Sequence, residues 1–136
     1  MSTTYLIISA EKAGLEYRDN HRRTGQLQSQ IASAGLRFTT VSGMYNGAFE
    51  VSLLIHPNGD PVDTVRKIIK EAARNFEQES VLEMNRTGHA WLLHTGDGRQ
   101  EFIGRMTVSK QVDPKKVTGY TSLPNGGYLH LEGENI

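Results

Sequence analysis

Residues 43–55 read GMYNGAFEVSLLI, a tyrosine between two glycines followed by an apolar run that opens with Glu50. Phe49 to His56 has the length and the branched apolar content of a strand. Along it Phe49, Val51, Leu53 and Ile55 share one face, and Glu50, Ser52, Leu54 and His56 share the other. Within it VSLLI (51–55) is apolar on both faces, and so are YLII (5–8) and WLL (91–93). Strands that are oily on both sides need both sides covered. What covers each side decides the fold.

Working outward, the chain supplies helices for one side. Tyr5–Ala10 (YLIISA) is a short strand. Residues from Asp19 or Asn20 to about Ala34 read as a helix with an Asx cap, Leu27 and Ile31 as its core stripe, and Gly35 at its end. LRFTTVS (36–42) alternates as a second strand, and GMYNG is expected to be a tight loop before the third. Asp60–Pro61, at the end of the loop PNGDP, reads as a helix start. After it Val62, Val65, Ile68, Ile69, Ala72 and Phe76 recur at helical spacing, with charged residues opposite. SVLEM (80–84) and AWLLH (90–94) form a hairpin around NRTGH. EFIGRMTVS (101–109) is a further strand, and the tail is turn-rich with a short strand at YLHL (128–131). The order is βαββαβ with extra C-terminal strands, an α+β, ferredoxin-like sandwich.

Two helices cover one face of such a sheet. A second copy of the chain is the preferred cover for the other, giving a trimer of the PII-like kind. A C-terminal tail folded over the sheet is the competing arrangement.

Composition limits the functions on offer. The chain has 136 residues, of which 37% are apolar and 22% charged, and reads as a single domain over 1–136. Fifteen basic and fifteen acidic side chains cancel, which argues against a nucleic-acid clamp. With no cysteine, thiolate catalysis and cysteine-ligated zinc are excluded, and a reducing cytoplasm is the natural compartment. No apolar run approaches the roughly 20 residues of a membrane helix. MSTTYLIISAEKAG lacks a basic n-region, so no secretory leader is expected.

Among the five histidines none are paired at metal-ligand spacing, and neither HExxH nor GxxxxGK[ST] is present. No metal or cofactor is expected. Glu50 reads either as a strand-end charge or as a carboxylate held on a rigid element, beside Tyr45 on the glycine-flanked loop. Gly43 and Gly47 let that loop turn and let a ligand approach the backbone. His21 and Arg22, at the start of the first helix, are an ordinary solvated helix start or a site for a carboxylate or phosphate. Glu77 and Glu79 cap or pair locally, and Trp91 belongs to the core or an interface.

Taken in order, YLIISA, NHR (20–22), SGMY (42–45) with Glu50, AARNFEQESVLEM (72–84) and RTGHAWLLHTGDG (86–98) resemble the small phage-encoded enzymes that destroy S-adenosylmethionine. These are long known as S-adenosylmethionine hydrolases and are better described as lyases. The resemblance covers most of residues 5–98 and fades beyond about 100. It implies a homotrimer with sites at the clefts between subunits. It also implies cleavage of S-adenosylmethionine to 5′-methylthioadenosine and homoserine lactone, without a cofactor. The implied purpose is anti-restriction, in the cytoplasm of an infected bacterium. By the same resemblance Glu50 and Tyr45 are the catalytic pair. Ser9, Gly43, His21 and Arg22 hold the substrate, the last two toward its carboxylate or a neighbouring subunit. Two alternatives stand beside this: a hydrolase that makes homoserine from water, and a non-catalytic PII-like trimer that binds an adenine nucleotide.

Overall fold

A computed structural model of the chain describes residues 4–45, 47–56 and 59–134. The elements run β1 (Thr4–Ile8), α1 (Tyr17–Ser33), β2 (Arg37–Tyr45), β3 (Ala48–His56), α2 (Val62–Asn75), β4 (Ser80–Asn85), β5 (His89–His94), β6 (Gln100–Ser109), β7 (Gly119–Ser122) and β8 (Tyr128–Leu131). The βαββαβ order expected from the sequence is present. Its four strands lie side by side as β4-β1-β3-β2, every pair antiparallel. Instead of remaining an open layer, this sheet is continued by β5, β6, β8 and β7 until β7 pairs with β2, and the eight strands close into a barrel.

Both helices pack outside the β4-β1-β3-β2 half. The apolar stripe of α2 (Val65, Ile69, Ala72 and Ala73) and Leu27 and Ile31 of α1 meet Leu6, Ile8, Leu53, Ile55, Val81 and Leu93 of the sheet. This is the main hydrophobic core, and Leu53, Ile55, Ile69 and Leu93 are fully excluded from solvent within it. Full burial of each such side chain contributes about 1.5–3 kcal/mol, so this layer dominates the stability of the fold. Phe49, grouped with Leu53 and Ile55 by alternation, lies beyond this cover and is 76% exposed.

The second face is covered by the chain itself. Ile7, Ser9, Glu50 and Ser52 point away from the helices into the barrel lumen, opposite residues of β6, β7 and β8. The preferred expectation, that another copy provides this cover, is corrected here. The tail needed only the four-residue strand β7, which its turn-rich composition concealed.

Local details differ from the sequence reading too. Gly43, Met44 and Tyr45 are strand and not loop: β2 runs on through Tyr45, which pairs with Ala48 of β3. Gly47 takes φ +81° there, and Asn46 lies outside the described residues, as do Pro57 and Asn58 of PNGDP. Helix α1 starts at Tyr17 after Glu16, without a side-chain cap. Asn20 is used otherwise: its Oδ1 accepts from the Lys12 N–H at 2.9 Å and its Nδ2 donates to the Lys12 carbonyl at 3.2 Å. Pro61, with no side-chain cap bond, is the N-cap of α2, so Asp60 does not cap it. Gly35 ends α1 at φ +81°, as read.

Candidate active site

Eight strands make a barrel whose interior either fills with side chains or holds one small ligand. Here the inward positions include Ser9, Gly43, Ser52, Ser80 and Gly119, too small to fill it. A cavity of about 400 Å³ remains, within the range of roughly 300–1,000 Å³ usual for small-molecule sites. Ile7, Leu82, Leu92, Ile103, Leu129 and Leu131 make its apolar wall.

Glu50 is the ionisable group held most deliberately in this cavity. It stands opposite Gly43 in the β2–β3 register. Ser52 Oγ donates to its Oε1 at 3.4 Å. Burial pushes the Glu50 carboxyl above the usual carboxylate range, and the negative charge of Glu11 pushes it further. Hydrogen bonds from Ser52 and Ser9 pull it partly back. A carboxyl with raised proton affinity in a cleft is a marker of function rather than of a solvated strand end.

The other residues singled out in the sequence separate into two groups. Ser9, Gly43 and Tyr45 line the same cavity as Glu50. Tyr45 is 58% exposed and stands at the rim. Ser9 is buried, donating from Oγ to the Val51 carbonyl at 3.0 Å. Gly43 is also a packing position: a Cβ there would lie 2.1 Å from the Tyr120 carbonyl oxygen, so its small size serves the β2–β7 seam. His21 and Arg22 are not brought to the cavity. Both are exposed on α1, His21 stacked on Tyr17 at 5.8 Å and Arg22 paired with Asp19 at 3.9 Å.

Sequence reasoning missed Glu11, Gln78, Tyr120 and Glu101. Gln78 Nε2 donates to the Glu11 carbonyl at 2.9 Å, tying the loop after β1 to the start of β4. Tyr120 belongs to the overlooked β7, and Glu101 accepts from or pairs with His94 at 2.9 Å. None of these carried a signal of its own, and Glu11 lies just past the end of β1, two residues after Ser9. Glu77 pairs not with a sequence neighbour but with Lys12, 65 residues away, at 2.9 Å, and Trp91 packs against the core. The histidines of the strands each have a polar partner, for example His130 buried between Ser109 Oγ and the Leu131 carbonyl. Among the described residues no three acidic or imidazole groups converge as a metal site.

Fold and site together define a small α+β barrel with an acidic, ligand-sized lumen. The family model described as the S-adenosylmethionine lyase family matches residues 6–130, and the chain belongs to that family. No curated protein matches it. No helix among the described residues is long and apolar enough to cross a membrane.

Proposed function

We propose that this chain cleaves S-adenosylmethionine within the barrel to 5′-methylthioadenosine and homoserine lactone. The observation that carries the reading is the charge of the cavity wall. Its ionisable side chains are Glu50, Glu101, Tyr45 and Tyr120, with no Lys, Arg or His among the described lining residues. Such a wall attracts a sulfonium and an ammonium group. It repels nucleotide phosphates, which are ordinarily met by basic side chains or helix N-termini. The adenine-nucleotide sensor is therefore disfavoured.

A wall without cations also leaves the substrate's own carboxylate unpaired and available as a nucleophile. Its oxygen bonds to the γ-carbon while the bond from that carbon to sulfur breaks. The electron pair goes to sulfur, and the sulfonium becomes a neutral thioether. No water and no proton enter, so neither an activated water nor a triad is needed. A well-aligned internal nucleophile gains up to about 7–11 kcal/mol of barrier from proximity. The protein's part is to fold the methionine arm, with Glu50 toward the sulfonium or the ribose and Tyr45 closing the rim.

The raised proton affinity of Glu50 favours one second reading, a general base that makes homoserine from water. Cleavage in ¹⁸O-water separates the two. A lactone that opens by attack at its carbonyl carries the label in the carboxyl group; direct hydrolysis at the γ-carbon carries it in the hydroxyl. Methylthioadenosine with lactone trapped early is the expected result. No methylthioadenosine at all defeats both readings.

The same proposal includes a ferredoxin-like, PII-like homotrimer with the cavity mouths at its seams, supported by the exposed Phe49 and Tyr45 beside the rim. His21 and Arg22 are then surface groups available to a neighbouring subunit. Removing the methyl donor used by host restriction and methylation systems is the proposed role, in the cytoplasm of a phage-infected bacterium.

A further inference from the structure

The β1–β3 ladder sets Leu6 against Ile55 and Ile8 against Leu53. Its next step would set Ala10 against Val51, but β1 ends at Ile8. Both ladder bonds of Val51 are nevertheless made, by side chains. The Val51 N–H donates to Glu11 Oε2 at 2.7 Å, and the Val51 carbonyl accepts from Ser9 Oγ at 3.0 Å. Ser9 Oγ in turn accepts from the Glu11 N–H at 3.0 Å. Gln78 holds the Glu11 carbonyl from the far side. The chain leaves the sheet here, yet the backbone beside Glu50 remains fixed.

We propose that Glu11 is the positioning and specificity-determining residue of this site. Its carboxylate clasps Val51 and so aims the Glu50 side chain into the cavity. Its charge, placed beside Glu50, makes the site select a ligand with a positive charge at that point. The inference rests on the reading of the cavity as an S-adenosylmethionine site and adds a residue outside the cavity wall to it.

Two neighbouring carboxylates repel each other, and a cation between or beside them relieves the repulsion. The other groups facing Glu50 are the hydroxyls of Ser9 and Ser52; Tyr45, Tyr120, Glu101 and Gln78 stand on the remaining walls. None of them supplies a positive charge. A sulfonium substrate would do so, and the neutral thioether left by cleavage would not, so the product loses its hold as the bond breaks.

The test compares two uncleaved analogues by titration calorimetry. Sinefungin carries an ammonium-bearing carbon in place of the sulfonium; S-adenosylhomocysteine carries a neutral thioether. Wild type is expected to prefer sinefungin by about tenfold or more, equivalent to at least 1.4 kcal/mol. Glu11→Gln keeps an oxygen for the Val51 N–H but removes the charge. It should narrow the preference several-fold and move its pH midpoint downward, with the melting temperature little changed. An unchanged ratio and midpoint in Glu11→Gln overturns the role of Glu11 alone. Binding of neither analogue by wild type overturns the reading of the cavity, and the proposal with it. Should Glu11→Gln not fold, Glu11→Asp takes its place: drawing the carboxylate back by one methylene should narrow the preference in the same direction, and an unchanged ratio overturns the proposal.

Discussion

Gly43 of β2 and Tyr120 of β7 lie so close that a single added carbon cannot fit between them: a Cβ on Gly43 would sit 2.1 Å from the Tyr120 carbonyl oxygen and 3.2 Å from the Thr121 Cα. Backbone atoms, unlike a flexible side chain, have little room to yield. Gly119 repeats the arrangement from the other strand, where an added Cβ would sit 2.7 Å from the Met44 carbonyl oxygen. The seam that closes the barrel is thus a contact of bare backbone. Gly43→Ala is expected to destabilise by about 1–3 kcal/mol, the usual cost of overpacking, read as a lower melting temperature. Gly25, in the middle of α1 with open space around it, is the control: Gly25→Ala should stabilise by about 0.5–1 kcal/mol. A Gly43→Ala protein as stable as wild type would remove the argument for this seam.

The second prediction concerns the pH dependence of Glu50. Its folded-state proton affinity is raised above the ordinary 4.5 of a glutamate, by burial first and by Glu11 second. The folded protein therefore holds this proton more tightly than the unfolded chain. Its stabilising share is complete below about pH 4.5 and is lost as pH rises through the folded-state value. Glu50→Gln removes that dependence. The melting temperatures of variant and wild type should agree in acid, then diverge in favour of Glu50→Gln toward neutral pH. Methylthioadenosine release should fall by about 10²-fold or more in the same variant, the scale of losing one preorganised electrostatic contact. Parallel melting curves at all pH values would show Glu50 to be an ordinary solvated carboxylate.

Much of this arrangement was legible in the sequence. The alternate positions Leu53 and Ile55 of β3 and the helical spacing of Val62–Phe76 each bury one face against one layer, so local pattern and tertiary outcome agree there. The double-sided apolarity of YLII and VSLLI correctly announced a second cover. Its identity did not follow, because β7 is GYTS, four half-buried residues without an apolar alternation to mark them. The glycines of GMYNG suggested a loop, whereas Gly43 is glycine because another strand passes within contact. Glu50 and Tyr45 were legible because a carboxylate on a buried strand is costly without a reason. Glu11 was not, since its role depends on β1 stopping two residues early.

A third prediction addresses the outer layer. Arg66 on α2 forks onto Glu83 of β4, Nε to Oε1 at 2.8 Å and a terminal nitrogen to Oε2 at 3.1 Å. The Glu83 side chain is only 7% exposed, so this carboxylate has exchanged water for one partner. Arg66→Ala would strand it and should cost about 3 kcal/mol, near the lower end for buried pairs because Arg66 itself is partly solvated. Replacing both, as Arg66→Met with Glu83→Leu, should recover most of that loss. A single variant with a wild-type denaturation midpoint would show the pair to be energetically idle.

The last prediction concerns assembly. Since the chain closes its own barrel, covering the sheet no longer requires a second copy, and any trimer must rest on other surfaces. Phe49 and Tyr45 are exposed apolar groups on the β2–β3 hairpin, 76% and 58% accessible, and flank the cavity-lining Glu50 and Gly43. A phenylalanine that is buried by association contributes about 1.5–3 kcal/mol per contact, or roughly ten- to hundredfold in affinity. Sedimentation should then find a particle of three times the 15.1 kDa chain. Phe49→Ser should shift it toward monomer at concentrations ten- to hundredfold higher than wild type requires. Because the lumen is formed within one chain, monomeric Phe49→Ser should still bind sinefungin if the cavity alone suffices. Loss of binding together with loss of the trimer would instead place part of the site on the neighbouring subunit, where the exposed His21 and Arg22 are the first groups to mutate. Wild type sedimenting as a monomer throughout would dispose of the trimer and leave the barrel cavity to act alone.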